Sequence, residues 1–203
     1  MITSLVLLVS IFSPIQALFP QYAQFYRENS YGCFGRNYQY TFESLTIPAP
    51  SWNVISFRGR GVWVLEYGET KTIVTGGLRD SCVTGLPTGK VSITATKILN
   101  VELEESSIAL FPSRDNITVD DIVTTTSPEY SLSSPQSFEV FSSTGIKDYA
   151  LYAGVDFTGP SACLKVYHSD ATEGYGVTTA MERTIVVGSV RVGCLGNEHI
   201  VLN

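Results

Sequence analysis

Three adjacent polar residues, His168, Ser169 and Asp170, have the side-chain types that serine hydrolases use for nucleophilic catalysis. Such catalysis needs the serine, a histidine base and an acid to converge in space. Neighbouring residues of an extended chain point to opposite faces, so these three do not converge there. No Gly-x-Ser-x-Gly turn leads into a helix, and the other histidine is His199, in the tail. We therefore predict no catalytic residue and expect that the chain is not an enzyme.

The cysteines offer a second kind of chemistry, and the four of them are Cys33, Cys82, Cys163 and Cys194. No two lie close enough in sequence to form a zinc knuckle. In an oxidising compartment an even number of cysteines predicts two disulfides, and three pairings are open. Paired cysteines leave no thiolate to act as a nucleophile. We see no phosphate-binding loop and no metalloprotease helix, and we expect no cofactor and no metal.

The first residues predict the compartment. Residues 1–17 are apolar and end in small side chains, as a signal peptide cut after Ala17 would. Neither this run nor any later one is long and apolar enough for a membrane span, so we expect secretion without membrane insertion. The sequon at Asn116 then predicts glycosylation on an exposed loop. The net charge of −6 gives nucleic acid no electrostatic attraction to the chain.

The elements that must position these residues are predicted to be strands. Segments rich in Val, Ile, Thr and aromatic residues recur between Gly, Pro, Ser and Asp, and no long stretch has helical periodicity. Trp63 and Leu65 fall on one face of such a segment, and Val62 and Val64 fall on the other. Residues 124–137, rich in Ser, Thr and Pro, are predicted to form an exposed loop. The fold class is therefore all-β.

A weak internal repeat suggests a duplication. Residues 52–68 align without gaps on residues 138–154, and each segment reads as a strand, a glycine turn and an aromatic strand. Each also lies near the middle of one half of the chain.

One motif in the second half carries a specific resemblance. Tyr152, Phe157 and Gly159 follow an aromatic-x4-aromatic-x-Gly spacing, and Ser189 begins a later strand. This resembles the Greek-key motif of the βγ-crystallins, in which two aromatics and a glycine build a folded-over hairpin that a serine closes. Glycine suits a positive φ, and a serine hydroxyl can satisfy backbone groups that the fold-over exposes. The resemblance implies two Greek-key β-sandwich domains of the βγ-crystallin type.

The implied domains are residues 18–97 and 98–203, with four Greek keys at roughly 20–60, 61–97, 98–147 and 148–196, three of them degenerate. Arg58 and Arg60 are then expected to be solvated in a tight connection between the first two. Domain-local disulfides, Cys33–Cys82 and Cys163–Cys194, follow from this division. Many relatives bind calcium through acidic pairs before the closing serine, and "IVVGS" holds no acid, so no calcium site of that type is expected.

Two functions of different classes remain. The first is a non-enzymatic secreted protein with a structural role, or one that binds an unknown extracellular protein or glycan. The second is a lipocalin-type carrier, since the length, the secretion, the cysteines and the Gly61-x-Trp63 pattern fit an eight-stranded barrel around an apolar ligand. In a lipocalin that pattern lies near the mature start, and about forty residues precede it here.

Overall fold

The computed structural model describes residues 20–27, 32–35, 38–49, 53–87, 90–103, 105–166, 177–180, 183–196 and 200–202, without the side chains of 78, 79, 178, 200 and 201. These residues form strands and one short 3₁₀ helix, Val119–Asp121. The strands up to residue 97 are β1 (Tyr22–Arg27), β2 (Tyr38–Thr41), β3 (Leu45–Ile47), β4 (Val54–Tyr67), β5 (Thr70–Thr84) and β6 (Ile93–Lys97). The later strands are β7 (Ser107–Phe111), β8 (Val123–Thr125), β9 (Glu129–Phe138), β10 (Val140–Thr144), β11 (Tyr149–Tyr152), β12 (Ser161–Leu164), β13 (Val177–Ala180), β14 (Ile185–Val192) and β15 (Ile200–Leu202). The prediction of an all-β chain is confirmed.

The strands make three sheets. The first sheet has the order β2-β1-β4-β6-β3, with β5 along the other edge of β4. The second has the order β13-β10-β7-β8, and the third has the order β15-β12-β11-β14-β9. Pairing is antiparallel except between β12 and β15, and one sheet curls into half a barrel. In a single up-and-down barrel, neighbouring strands follow chain order, and in the first sheet they do not.

Strand β4 organises the first half of the chain. Along one edge it pairs with β1 over its first half and with β6 over its second half, and β5 pairs with the other edge. Trp63 and Leu65 pack with Phe57 into the core of the first sheet, while Val62 and Val64 join a different core on the opposite face. The predicted alternation along this strand is therefore confirmed.

The opposite face of β4 joins the two halves of the chain. Val62 and Val64 pack there with Phe111 of β7, Val140 of β10 and Leu99 of the connection between the halves. The second and third sheets enclose their own core, which includes Phe138, Phe141 and Tyr149. Because one apolar cluster contains strands of both halves, the free energy of burial couples them.

The predicted connection at Arg58 and Arg60 is wrong, because both residues lie inside the 14-residue strand β4. Gly59 and Gly61, which alternate with these arginines, do not form a turn. They leave space for neighbouring side chains. A Cβ at Gly59 would lie 3.0 Å from the ring of Phe57, and one at Gly61 would lie 2.1 Å from Oε1 of Gln21. The expected boundary between the first two Greek keys, at residues 60 and 61, therefore falls inside a continuous strand.

Gln21 explains why Gly61 must lack a side chain. Its buried amide accepts a hydrogen bond from the Val62 N–H at 3.0 Å and donates to the Leu99 carbonyl at 2.9 Å and the Val101 carbonyl at 2.6 Å. One side chain thus satisfies three backbone groups of β4 and of the connection between the halves.

The predicted loop over residues 124–137 is also wrong in its secondary structure. Residues 123–125 form β8 and residues 129–138 form β9, which is an edge strand of the third sheet. Most of β9 is exposed and it contains Pro135. An edge strand tolerates proline and polar residues because only one of its sides must pair, which is why its composition resembles a loop.

We expect Phe111→Ala to lower the free energy of unfolding by about 3–5 kcal/mol, because it opens a cavity in the core that both halves share. Urea unfolding followed by fluorescence and by circular dichroism measures this. Phe34→Ala is the matched control, since the Phe34 side chain is 71% exposed. A separate transition for the first half that F111A leaves unchanged would contradict the coupling of the halves.

Candidate functional site

The residues first considered for catalysis lie outside the described residues. They are His168, Ser169, Asp170 and His199. Among those described, one group of three side chains has the ligand types and proximity of a metal site: Asp148, Cys163 and Cys194. Both of its sulfurs belong to a disulfide and so offer no thiolate. This group is therefore not a metal centre.

The structure brings the motif residues of the second half together in the loop between β11 and β12. The Gly154 N–H donates to the Thr158 carbonyl at 2.9 Å, and the Ala153 N–H donates to the Pro160 carbonyl at 2.9 Å. These two hydrogen bonds fold the loop back on its own strands. The rings of Tyr152 and Phe157 meet edge to face, with centroids 5.8 Å apart.

Ser189 of β14 fastens this folded hairpin. Its fully buried hydroxyl donates to the Gly154 carbonyl at 2.8 Å and accepts a hydrogen bond from the Phe157 N–H at 2.8 Å. The serine therefore holds both sides of the fold-over by their backbone groups. Without the hydroxyl, a donor and an acceptor in a partly buried place would lose their partners.

The backbone of the hairpin is unusual at two residues that are not glycine. Asp156 has a φ of 54° and Phe157 a φ of 59°, while Gly159 has a φ of 79°. Side chains resist the left-handed region, so the contacts around these residues must hold them there. Besides the hydroxyl of Ser189, Ser131 of β9 contributes, because its hydroxyl accepts a hydrogen bond from the Asp156 N–H at 3.1 Å.

Sequence reasoning missed Gly188, the residue before the closing serine. A Cβ there would lie 2.4 Å from the Gly154 carbonyl carbon and 2.6 Å from the Val155 nitrogen, so only glycine lets β14 approach the hairpin. A glycine inside a strand pattern is the signal that could have found it.

Both disulfides predicted from the domain division are present, Cys33–Cys82 and Cys163–Cys194. The first links a turn after β1 to β5. The second joins β12 to the segment after β14, so it clamps the hairpin strands to the strand that carries Ser189. Disulfides inside one chain indicate an oxidising, extracellular type of environment.

A second cluster, which sequence reasoning did not find, covers part of the outer face of the first sheet. The side chains of β1 that point away from the core lie in register with those of β2 and β4. Tyr26 lies between Tyr38 and Ser56, and Gln24 lies between Tyr40 and Arg58. We call this surface the aromatic face and define it as Tyr22, Gln24, Tyr26, Tyr38, Tyr40, Phe42, Ser56, Arg58, Arg60 and Asp80.

Asp80 lies on β5, at the side of the aromatic face away from β2, with a side chain that is only 2% exposed. Its carboxylate pairs with the Arg58 guanidinium at 2.6 Å and with Nε of Arg60 at 2.9 Å. It also accepts a hydrogen bond from the Tyr22 hydroxyl at 2.6 Å. The predicted solvated arginines are therefore wrong, because both guanidinium groups are held by a buried carboxylate.

Electrostatics on this face favour a neutral Tyr22 and a charged Arg58. Burial raises the pKa of Tyr22 to about 12, and its hydrogen bond to the Asp80 carboxylate adds to the shift. A hydrogen bond to Tyr26, and after it the charge of Asp80, raises the pKa of Arg58. The guanidinium of Arg60 lies over the Tyr22 ring, 4.9 Å from its centroid.

Three rings of the aromatic face reach solvent: Tyr38 is 44% exposed, Tyr40 41% and Phe42 46%. Each contacts another ring, with centroids 5.4 Å apart for Tyr26 and Tyr38 and 5.0 Å for Tyr22 and Tyr40. Tyr40 and Phe42 meet edge to face at 4.8 Å. The rings of Tyr38 and Tyr40 on the edge strand β2 thus pack beside rings of β1 on the same face of the sheet.

Asn116, the predicted glycosylation site, is exposed in the segment between β7 and the 3₁₀ helix. No helix among the described residues is long and apolar enough to cross a bilayer. Comparison with known proteins found no matching family model, no matching curated protein and no matching solved structure.

We expect Ser189→Ala to lower the free energy of unfolding by about 2 kcal/mol, because the Phe157 N–H and the Gly154 carbonyl lose their partner. Thermal and urea unfolding measure the change. Ser134→Ala, on an exposed position of β9, should change stability by less than about 0.5 kcal/mol. Equal stability of the two variants would mean that the hydroxyl of Ser189 does not fasten the hairpin.

Alkaline pH should destabilise the folded chain through Tyr22. The folded chain keeps this proton up to about pH 12, whereas the unfolded chain releases it near the ordinary tyrosine pKa of 10.0. Between these values the unfolded chain binds fewer protons, so the free energy of unfolding falls as the pH rises. We expect Tyr22→Phe to weaken this fall without abolishing it, since burial also raises the pKa of Tyr149. Urea midpoints measured across this window test the effect, and an unchanged slope in Y22F would contradict it.

Proposed function

We propose that the chain is a non-enzymatic secreted protein with a structural or extracellular binding role, built from two divergent βγ-crystallin-like domains, 18–97 and 98–203. The observation that carries the proposal is the folded hairpin between β11 and β12. Its aromatic pair, its glycine at positive φ and its buried closing Ser189 have the arrangement that the resemblance implies. The relationship to that family and the Greek-key organisation of both halves belong to this proposal.

Secretion is the second part of the proposal. The apolar residues 1–17 serve as a signal peptide, and the mature chain begins after Ala17. The two disulfides support an oxidising compartment, and the exposed sequon at Asn116 supports glycosylation there. The proposal assigns the chain no catalysis, no cofactor, no metal, no nucleic acid and no membrane insertion. Its partner is an extracellular protein or glycan.

The lipocalin-type carrier is the weaker alternative, and no observation favours it. Such a carrier encloses its ligand in one barrel whose strands follow each other in chain order. Here Trp63 fills the core of the first sheet with Phe57 and Leu65 instead of closing the end of a cavity. A hollow of about 490 Å³ lies outside that core, lined by the 98–101 connection, by β8 and by the start of β9.

Expression of the full chain in cultured secretory cells tests the proposal. We expect the mature protein in the medium with residue 18 at its start, a glycan that Asn116→Gln removes, and saturable capture of a component of the extracellular matrix. Intracellular retention of the uncleaved chain would contradict secretion. Medium-derived protein that captures nothing saturably from a matrix fraction, and hydrolyses or carries a small apolar molecule instead, would overturn the proposed role.

A further inference from the structure

We propose that the aromatic face binds an acidic saccharide, meaning a chain of pyranose rings that carry carboxylate or sulfate groups. This inference rests on the proposed extracellular binding role and gives that role a ligand class. It draws on three features of the aromatic face: exposed and supported rings, guanidinium groups held over a buried carboxylate, and a side-chain composition without aliphatic groups.

The rings supply the apolar contact that a sugar needs. The C–H bonds on one side of a pyranose pack on the face or edge of an aromatic ring, which is apolar and polarisable. Tyr38, Tyr40 and Phe42 follow each other along β2 and its end, and all three reach solvent. Tyr38 and Tyr40 pack on rings of β1, and Phe42 packs on Tyr40, so these rings lose little conformational freedom on binding.

The arginines place positive charge on the aromatic face. Two guanidinium groups, those of Arg58 and Arg60, share the carboxylate of Asp80 on a chain whose net charge is −6. Their side chains remain 33% and 21% exposed, whereas that of Asp80 is buried. A planar guanidinium matches a carboxylate or a sulfate in both geometry and charge. The complementary ligand is therefore anionic.

Composition favours a saccharide over a protein partner. The aromatic face contains five rings but no Leu, Ile, Val or Met. Its partly exposed polar side chains are Gln24, Arg58 and Arg60, whereas Ser56 and Asp80 are buried. The core of a protein interface is usually depleted of charged residues, whereas here the charged network on β4 and β5 adjoins the rings of β1 directly. A saccharide offers hydroxyl groups for the polar side chains and C–H groups for the rings at every step along its length.

The surface also has a defined end. The outer face of β4 carries Ser56, Arg58 and Arg60 in its first half, and it carries Val62 and Val64 in its second half, where strands of the later sheets cover it. A ligand on the aromatic face therefore runs from the exposed edge at β2 towards the junction of the halves. The site needs no opening of the fold.

Fluorescence anisotropy of labelled oligosaccharides with the mature, disulfide-bonded protein tests the proposal at about 0.15 M salt, where surface charges are screened as in extracellular fluid. The probes are a heparin hexasaccharide, which carries sulfate and carboxylate, and a hyaluronan hexasaccharide, which carries only carboxylate. Cellohexaose is the neutral control, and polyglutamate is the control for charge alone. We expect saturable micromolar binding of at least one acidic saccharide and weaker binding of both controls.

The variant pair Y40A/R58Q and I146A/K147Q provides a matched comparison. Each removes one exposed apolar side chain and one cation, but the second acts on exposed residues of the later half. We expect Y40A/R58Q to weaken the saccharide by about tenfold or more and I146A/K147Q to leave it unchanged. If Y40A/R58Q does not show wild-type circular dichroism, Y40A/F42A replaces it, since that variant keeps the Asp80 network and removes two exposed rings.

Several outcomes would overturn the inference: no saturable binding of either acidic probe, equal binding of cellohexaose or of polyglutamate, or equal losses in the two matched variants. Retention of a matrix protein by the aromatic face, after enzymatic removal of glycans, would also overturn it. If Y40A/R58Q still captures the extracellular partner of the wild type, the inference fails while the proposed binding role stands. If the wild type captures nothing at all, the proposed role fails with it.

Discussion

Burial on both sides of strand β4 is the constraint on which the rest of the structure depends. On one face of β4, Phe57, Trp63 and Leu65 form part of the core of the first sheet. On the other face, the side chains change along the strand from Arg58 and Arg60 to Val62 and Val64. The later sheets pack on the apolar half of this face of β4, and the Asp80 network forms on its polar half. One strand therefore sets the first core, the junction of the halves and the position of the aromatic face.

Two polar groups make this arrangement possible in the interior. Gln21 satisfies backbone groups of β4 and of the connection beside it, and Gly61 leaves the space for its amide. Asp80 satisfies the Tyr22 hydroxyl and both arginines. A buried charge without such partners would cost several kilocalories per mole. In each case a side chain that is distant in sequence provides the partner for polar groups of β4 that would otherwise be unpaired.

Features that depend on short-range sequence patterns could be predicted, whereas features that depend on the register of distant strands could not. Strand composition identified an all-β chain, alternation assigned Trp63 and Val64 to opposite faces, and domain-local pairing assigned the disulfides. The glycines beside Arg60 suggested a turn because glycine permits positive φ. Gly61 does have a φ of 100°, but it lies inside β4, and both glycines leave space for bulky neighbours. The aromatic face stayed hidden because it joins residues as far apart as Tyr22 and Asp80, whose register no local pattern reveals.

The hairpin closed by Ser189 has a consequence for the order in which the chain folds. Asp156 and Phe157 hold left-handed backbone, which costs roughly 1–2 kcal/mol per residue, and the contact that fixes Phe157 comes from a residue 32 positions later. The loop between β11 and β12 thus has no reason to adopt its native shape until β14 has docked, so it cannot serve as a folding nucleus. We therefore expect its contacts to form after the rate-limiting step, so that weakening them accelerates unfolding more than it slows folding. The lifetime of the folded state then depends on the contacts of this hairpin at the edge of the third sheet.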